Sequence, residues 1–190
     1  QFVHCPVGIW IDDTATFNLG NVLMYDLTTA IYGNSWGGTA EHLTVSKCNT
    51  FAYDEGAVAT VALTNCLLVN VTNWGNPTIT TNSTLKVSGT DILQTVGAGS
   101  AYLCNTSPYR DVGTTNISAD ILRDVRKSTT YPPLPFASTG ICTNNLDFLP
   151  QAHRDTDNPD LGYHYWPIDH VVSGLLLTNA NLTASNGAVI

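Results

Sequence analysis

The sequence predicts an all-β solenoid, a stack of short coils, and three observations lead there. Hydrophobic residues make up 43% of the 190 residues and charged ones only 12%. Solubility therefore falls to Asn, Thr, Ser and Gly, and β-branched residues alternating with such turn formers suit pleated strands better than helices. Four segments also repeat one pattern of strand, polar corner and strand. Their spacing is that of a solenoid coil, shorter than the roughly 30 residues of a β-α-β unit.

The repeats run in order along the chain. Residues 41–52 read EHLTVSKCNTFA, 60–71 read TVALTNCLLVNV, 84–96 read TLKVSGTDILQTV and 174–184 read GLLLTNANLTA. The corners Ser46-Lys47, Thr64-Asn65, Ser88-Gly89 and Thr178-Asn179 favour residues that tolerate turn or left-handed geometry and bond their own backbone. Taking Cys48, Cys66 and Thr90 as equivalent gives steps of 18 and 24 residues. One such coil cannot bury its apolar face alone, so stacking supplies the core. Stacked equivalents lie about 4.8 Å apart, within reach of a Cys48–Cys66 disulfide, and both residues can equally be buried inward-facing thiols.

Residues 97–170 break the rhythm and read as an irregular insertion or cap within one domain spanning 1–190. Ser118 is placed to cap a helix over 119–127, with Asp120 at its start, Arg123, Arg126 and Lys127 toward its end, and Ile121, Leu122 and Val125 as its apolar stripe. Tyr131-Pro132-Pro133-Leu134-Pro135 then stops the helix and runs extended.

A formal net charge of −8, with seven Lys and Arg dispersed along the chain, argues against a nucleic-acid partner. No apolar run approaches the ~20 residues of a membrane span. The chain starts at Gln1 and ends on Ala188, Val189 and Ile190, which reads as a piece of a larger protein. The five cysteines have no C-x-x-C pair, which disfavours a sulfur-ligated metal. Asn-x-Ser/Thr triplets at Asn70, Asn82, Asn105, Asn116 and Asn181 are the expected by-product of an Asn- and Thr-rich composition.

Two segments carry a resemblance. Ser107-Pro108-Tyr109-Arg110-Asp111-Val112-Gly113 is similar to an S-P-x-x-D-x-G element, and 154–165, RDTDNPDLGYHY, is similar to a later R-x-x-x-D-x-G-x-x-[EH]-[YF] element with an added Asp-rich turn. In that order the two resemble a pairing found in bacterial cell-surface β-helix proteins of the pectin-lyase-like superfamily with a choice-of-anchor-type C-terminal region. With the coil-like segments the resemblance covers about residues 40–185. It implies a right-handed parallel β-helix, secreted or surface-anchored, within large multi-domain proteins. Some relatives cleave acidic polysaccharides by β-elimination with Ca²⁺ and an Arg or Lys base. This chain departs from that pattern, since Lys47 and Lys86 are the cations on its recognisable coils, and Glu41, Asp54, Glu55 and Asp91 do not recur at one coil position.

For metal, Asp155, Asp157 and Asp160 alternate along an Asn-Pro turn as hard oxygen ligands for Ca²⁺ would, without the Gly and bidentate Glu of an EF-hand. Asx-turn bonding to backbone N–H groups is the competing account. His164, Asp169 and His170, flanked by Tyr163, Tyr165, Trp166 and Pro167, read as an aromatic segment packed across the solenoid with polar tips exposed rather than as an acid–base set. Trp10, Tyr32, Trp36, Tyr53 and Trp74 are candidate sugar-stacking residues. The functional expectation is a non-catalytic structural or adhesive module, extracellular or on a cell surface, whose open ends meet neighbouring domains or copies of itself. The alternative is a polysaccharide-active, lyase-like enzyme or carbohydrate-binding module.

Overall fold

A computed structural model describes residues 1–137 and 140–190; residues 138 and 139, within the stretch read as irregular, lie outside it. The coils are built from β1 (Phe2–Val3), β2 (Val7–Ile11), β3 (Thr16–Gly33), β4 (Gly37–Asp54), β5 (Thr60–Thr64), β6 (Leu67–Gly75), β7 (Thr78–Asn82) and β8 (Leu85–Val87). Every pairing among them is parallel: β1 and β2 on β3, β3 on β4, β4 on β5 and β6, then β5 on β7 and β6 on β8. The arrangement is a parallel β-solenoid, as the repeats predict.

Inward columns follow from the register. Met24 faces Val45 and Val45 faces Leu68, while Leu27, Cys48 and Val71 form a second column. These residues join Ile31, Leu43, Phe51, Leu63 and Cys66 in one buried core. No coil encloses that core alone, so its burial is a property of the stack.

Each coil bends at left-handed residues within or between its strands. One ladder of such corners is Asn21 (φ +52°), His42 (+54°), Asn65 (+53°) and Ser83 (+44°); a second is His4 (+56°), Asp26 (+58°), Lys47 (+54°) and Asn70 (+55°). Asn and Asp hold this conformation at least cost among residues with a Cβ.

The two ladders correct the equivalence of Cys48, Cys66 and Thr90. Lys47 and Asn65 belong to different corners, five positions apart in the coil, so aligning them slips the register. Cys48 pairs with Leu27 and Val71, whereas Leu67, which follows Cys66, pairs with Thr44. Both thiols are buried and unbridged, and all five cysteines are free.

Beyond the stack, β9 (Leu93–Val96) and β10 (Gly99–Leu103) form an antiparallel hairpin, followed by α1 (Ala119–Val125). The helix stops two residues short of the expected span. Ser118 does not cap it through its side chain; instead its backbone N–H donates to the Glu41 carboxylate at 3.0 Å. Val125 is the buried residue of the helix, while Ile121 lies against Gly20, where a Cβ would sit 2.1 Å from Ile121 Cδ1.

Coil structure returns at residue 134, inside the stretch read as irregular. β11 (Leu134–Ala137), β12 (Ile141–Cys142) and β13 (Leu146–Phe148) pair in parallel with β14 (His170–Ser173), β15 (Leu176–Leu177) and β16 (Leu182–Ala184). The corner expected at Thr178-Asn179 is left-handed at Asn179 (φ +52°). Residues 149–169, between the two rungs, leave the small stack and cross the main one. No helix among the described residues is long and apolar enough to cross a membrane.

Candidate metal centre

The strap from Arg154 to Tyr165 lies across three successive corners of the first ladder and bonds each in turn. Asn21 accepts the His164 N–H on Oδ1 at 2.7 Å and donates to the His164 carbonyl at 2.9 Å. Thr44, beside His42, accepts the Tyr163 N–H at 2.8 Å. The Asn65 carbonyl accepts the Gly162 N–H at 2.8 Å. Gly162 is required there, because its φ is +87° and a Cβ would sit 2.2 Å from Thr44 Oγ1.

The corner side chains then lock in a second loop. The Asn65 amide oxygen accepts the Thr114 N–H at 2.8 Å, and its nitrogen donates to the Thr114 carbonyl at 2.8 Å and to His42 Nε2 at 3.0 Å. His42 Nδ1 then carries the proton it donates to the Gly162 carbonyl at 3.2 Å. Burial and the neighbouring His164 push the His42 pKa down to about 3, so this ring is neutral.

The segments carrying the resemblance meet here. Leu161 N–H bonds the Tyr109 carbonyl at 2.9 Å and Gly113 N–H bonds the Pro159 carbonyl at 2.8 Å. Asp160 accepts the Asp111 N–H on Oδ1 at 2.9 Å and Arg110 Nη1 on Oδ2 at 3.1 Å. Thr130 donates its hydroxyl to Asp160 and accepts from Arg110. The guanidinium also reaches the Leu103 and Cys104 carbonyls and lies 3.5 Å from the centre of the Tyr131 ring.

Of the three predicted metal ligands, the structure brings two together. Asp155 and Asp160 are buried, and Asp160 N–H donates to Asp155 Oδ2 at 2.7 Å. Asp157 is exposed, near the Asp111 carboxyl, whose proton affinity it raises. The third partner is His164, which is 1% exposed, so the expectation that its polar tip faces solvent is overturned. His164 Nε2 lies 2.5 Å from Asp155 Oδ2, and its Nδ1 lies 3.0 Å from the Gly162 carbonyl. Potential ligand atoms of Asp155, Asp160 and His164 all fall within 4.8 Å of one another. Two buried atoms here have no hydrogen-bond partner, Asp155 Oδ1 and Arg110 Nε.

Carboxylate crowding shows in the proton affinities. Asp160 is raised above its ordinary value by burial and by the Asp155 charge, against the bonds from Thr130, Asp111 N–H and Arg110. Asp111 is raised by desolvation and by Asp157, Asp160 and Asp155.

The other candidates are committed elsewhere. Asp169 is buried and accepts the N–H groups of Gln151, Ala152 and Val189, while His170 stacks on Phe148 at 4.6 Å. Asp54 accepts the N–H groups of Ser35, Gly56, Val58 and Ala59. Glu55 bonds Tyr32, and Glu41 holds the helix start. Lys47 donates to Tyr25 Oη at 2.6 Å, and Lys86 to the Thr72 carbonyl at 2.9 Å. A cleft of 480 Å³ runs between Tyr131–Pro135 and Gln151–His153; its one carboxylate is the committed Asp169.

Trp10, Tyr32 and Tyr53 stand in one column, with ring centres 4.6 and 5.6 Å apart. Tyr32 is thus sandwiched, while Trp10 and Tyr53 at the two ends of the column are exposed. Trp36 is buried, and Trp74 packs on Phe51 under the Lys86 ammonium.

His42 and Thr130 were missed by the sequence reading, which named Asn65 as a coil corner and not as a member of this site. The signal for His42 was present as Asn21, His42 and Asn65, polar residues tolerant of positive φ at steps of 21 and 23. No protein-family model matches the chain, and no curated protein or solved structure shows significant similarity to it.

Proposed function

We propose that this chain is a non-catalytic structural or adhesive module of an extracellular or cell-surface protein, which stacks its coil edges against neighbouring domains or copies of itself. The observation that carries this reading is the rung β14–β16. Among the described residues its strands pair on one side, with β11–β13, the His170 N–H at the start of β14 donating besides to the Val189 carbonyl, and it exposes Leu176 at 57% and Leu182 at 46%, with Val189 and Ile190 exposed nearby. An unpaired parallel edge with apolar side chains is a template for more β-structure. At the far end of the main stack, β1 and β2 likewise pair only with β3 among the described residues.

The resemblance to bacterial surface β-helix proteins supports the location. Against a polysaccharide lyase stands the commitment of Asp54, Glu55, Glu41, Lys47 and Lys86 to separate structural bonds, and the carboxylates that do converge beside Arg110, Asp155 and Asp160, are buried rather than set in an open groove.

Sedimentation velocity over a hundredfold concentration range tests the reading. Association that grows with concentration and is lost in Leu176→Lys/Leu182→Lys, with circular dichroism unchanged, is the expected result. A monomer throughout, equally soluble in both forms, would overturn the self-stacking reading.

A further inference from the structure

We propose that Asp155, Asp160 and His164 bind one divalent first-row cation of the zinc class, a structural ion that ties the strap to itself in the shape that fits the coil corners. The site differs from the Ca²⁺ loop expected from the sequence in both membership and chemistry. Asp157 is outside it, and a histidine nitrogen is inside it. Ca²⁺ takes six to eight oxygens, whereas one imidazole with carboxylates suits Zn²⁺ and its neighbours.

Three observations carry the proposal. First, ligand atoms from the three side chains lie within 4.8 Å of one another, and all three residues are buried. Second, Asp155 Oδ1 is buried with no hydrogen-bond partner, an orphaned acceptor that a cation would satisfy. Third, the Gly162 carbonyl lies 3.0 Å from His164 Nδ1. A metal-bound imidazole donates its other N–H to such an acceptor, which fixes the tautomer and leaves Nε2 free to ligate. The same carbonyl is held in place by His42.

Charge points the same way. Asp155 and Asp160 sit with one guanidinium, Arg110, and the exposed pair Asp111 and Asp157 adds negative potential at the rim. Without metal, one hydrogen bond joins His164 Nε2 and Asp155 Oδ2 at 2.5 Å, with a proton between them. Metal binding releases that proton to solvent and turns the Asp155 carboxylate so that Oδ1 enters the coordination sphere, because two ligand atoms on a tetrahedral zinc sit roughly 3.3 Å apart. The site is formed by the buried side chains of the strap, so the ion is acquired as the strap docks and its binding adds to folding stability.

The test uses the full chain, stripped with chelator and refilled with ZnCl₂, MnCl₂ or CaCl₂ separately, with metal content and melting temperature read together. The expected result is one Zn²⁺ per chain and a rise in Tm of about 5–10 °C at hundredfold excess over Kd. The rise is kept in Asp157→Asn and lost, with at least about tenfold weaker binding, in Asp155→Asn and His164→Gln. Should those two variants fail to fold, zinc-edge X-ray absorption of the wild type decides, since one imidazole among oxygen ligands is required. Absence of both stoichiometric metal and a Tm shift overturns the proposal in favour of a hydrogen-bonded Asp155–His164 pair. Zinc binding that survives His164→Gln, or a shift produced by Ca²⁺ and abolished by Asp157→Asn, overturns it too.

Discussion

Replacing Asn65 by Ala removes the side chain on which two loops meet. The amide makes three hydrogen bonds, two to the Thr114 backbone and one to His42 Nε2, each contributing about 1 kcal/mol net. The residue is fully buried and has φ +53°, where a Cβ without a compensating polar group costs about 1 kcal/mol more. Asn65→Ala should therefore destabilise by about 3–4 kcal/mol. Asn65→Gly loses the same bonds without the strain, so it should be less harmful by about 1 kcal/mol. Urea unfolding of the two variants and the wild type measures both differences through the midpoint at constant slope. Native-state hydrogen exchange should show the loss first at the Thr114 and Gly162 amides, which bond Asn65 directly. An Asn65→Ala cost under about 1 kcal/mol, or a glycine variant no better than the alanine one, would refute the corner-locking argument.

Three further outcomes follow from the same geometry. His42 is neutral in the fold, with its pKa depressed to about 3 from 6.5, so the unfolded chain takes up the extra proton as pH falls between those values. Its stabilising contribution is full above about pH 6.5 and is lost at up to about 1.4 kcal/mol per pH unit below that; thermal melts of His42→Gln should lack this slope. Lys47 occupies a left-handed corner at φ +54°, and Lys47→Asn should raise stability by about 0.5–1 kcal/mol in urea despite losing the bond to Tyr25. Burial pushes the Cys66 thiol up to about 12, so a thiol-disulfide reagent at pH 8 should leave Cys66 unmodified in the native chain and modify it in urea; mapping the labelled peptides distinguishes it from Cys5 and Cys142.

The strand-rich composition, the polar corners and the coil-length repeats were legible in the sequence because each is local. Left-handed corners at Lys47, Asn65 and Asn179 follow from residue types that tolerate positive φ, and the helix near 119–125 from its own stripe and charges. Coil register was not legible. Each coil carries two corners of the same chemical kind five residues apart, as at His42 and Lys47, so local similarity cannot tell them apart; the buried columns Met24–Val45–Leu68 and Leu27–Cys48–Val71 decide it. The site divided in the same way. An Asp-rich turn beside a Gly-Tyr-His-Tyr run marked the strap, while the choice between Asp157 and His164 as the third member of the group depended on which side chains face inward once the strap is laid down. That orientation is set by Asn21, Thr44 and Asn65, residues between about 90 and 145 positions away, and partners so distant in sequence become neighbours only when the coils stack.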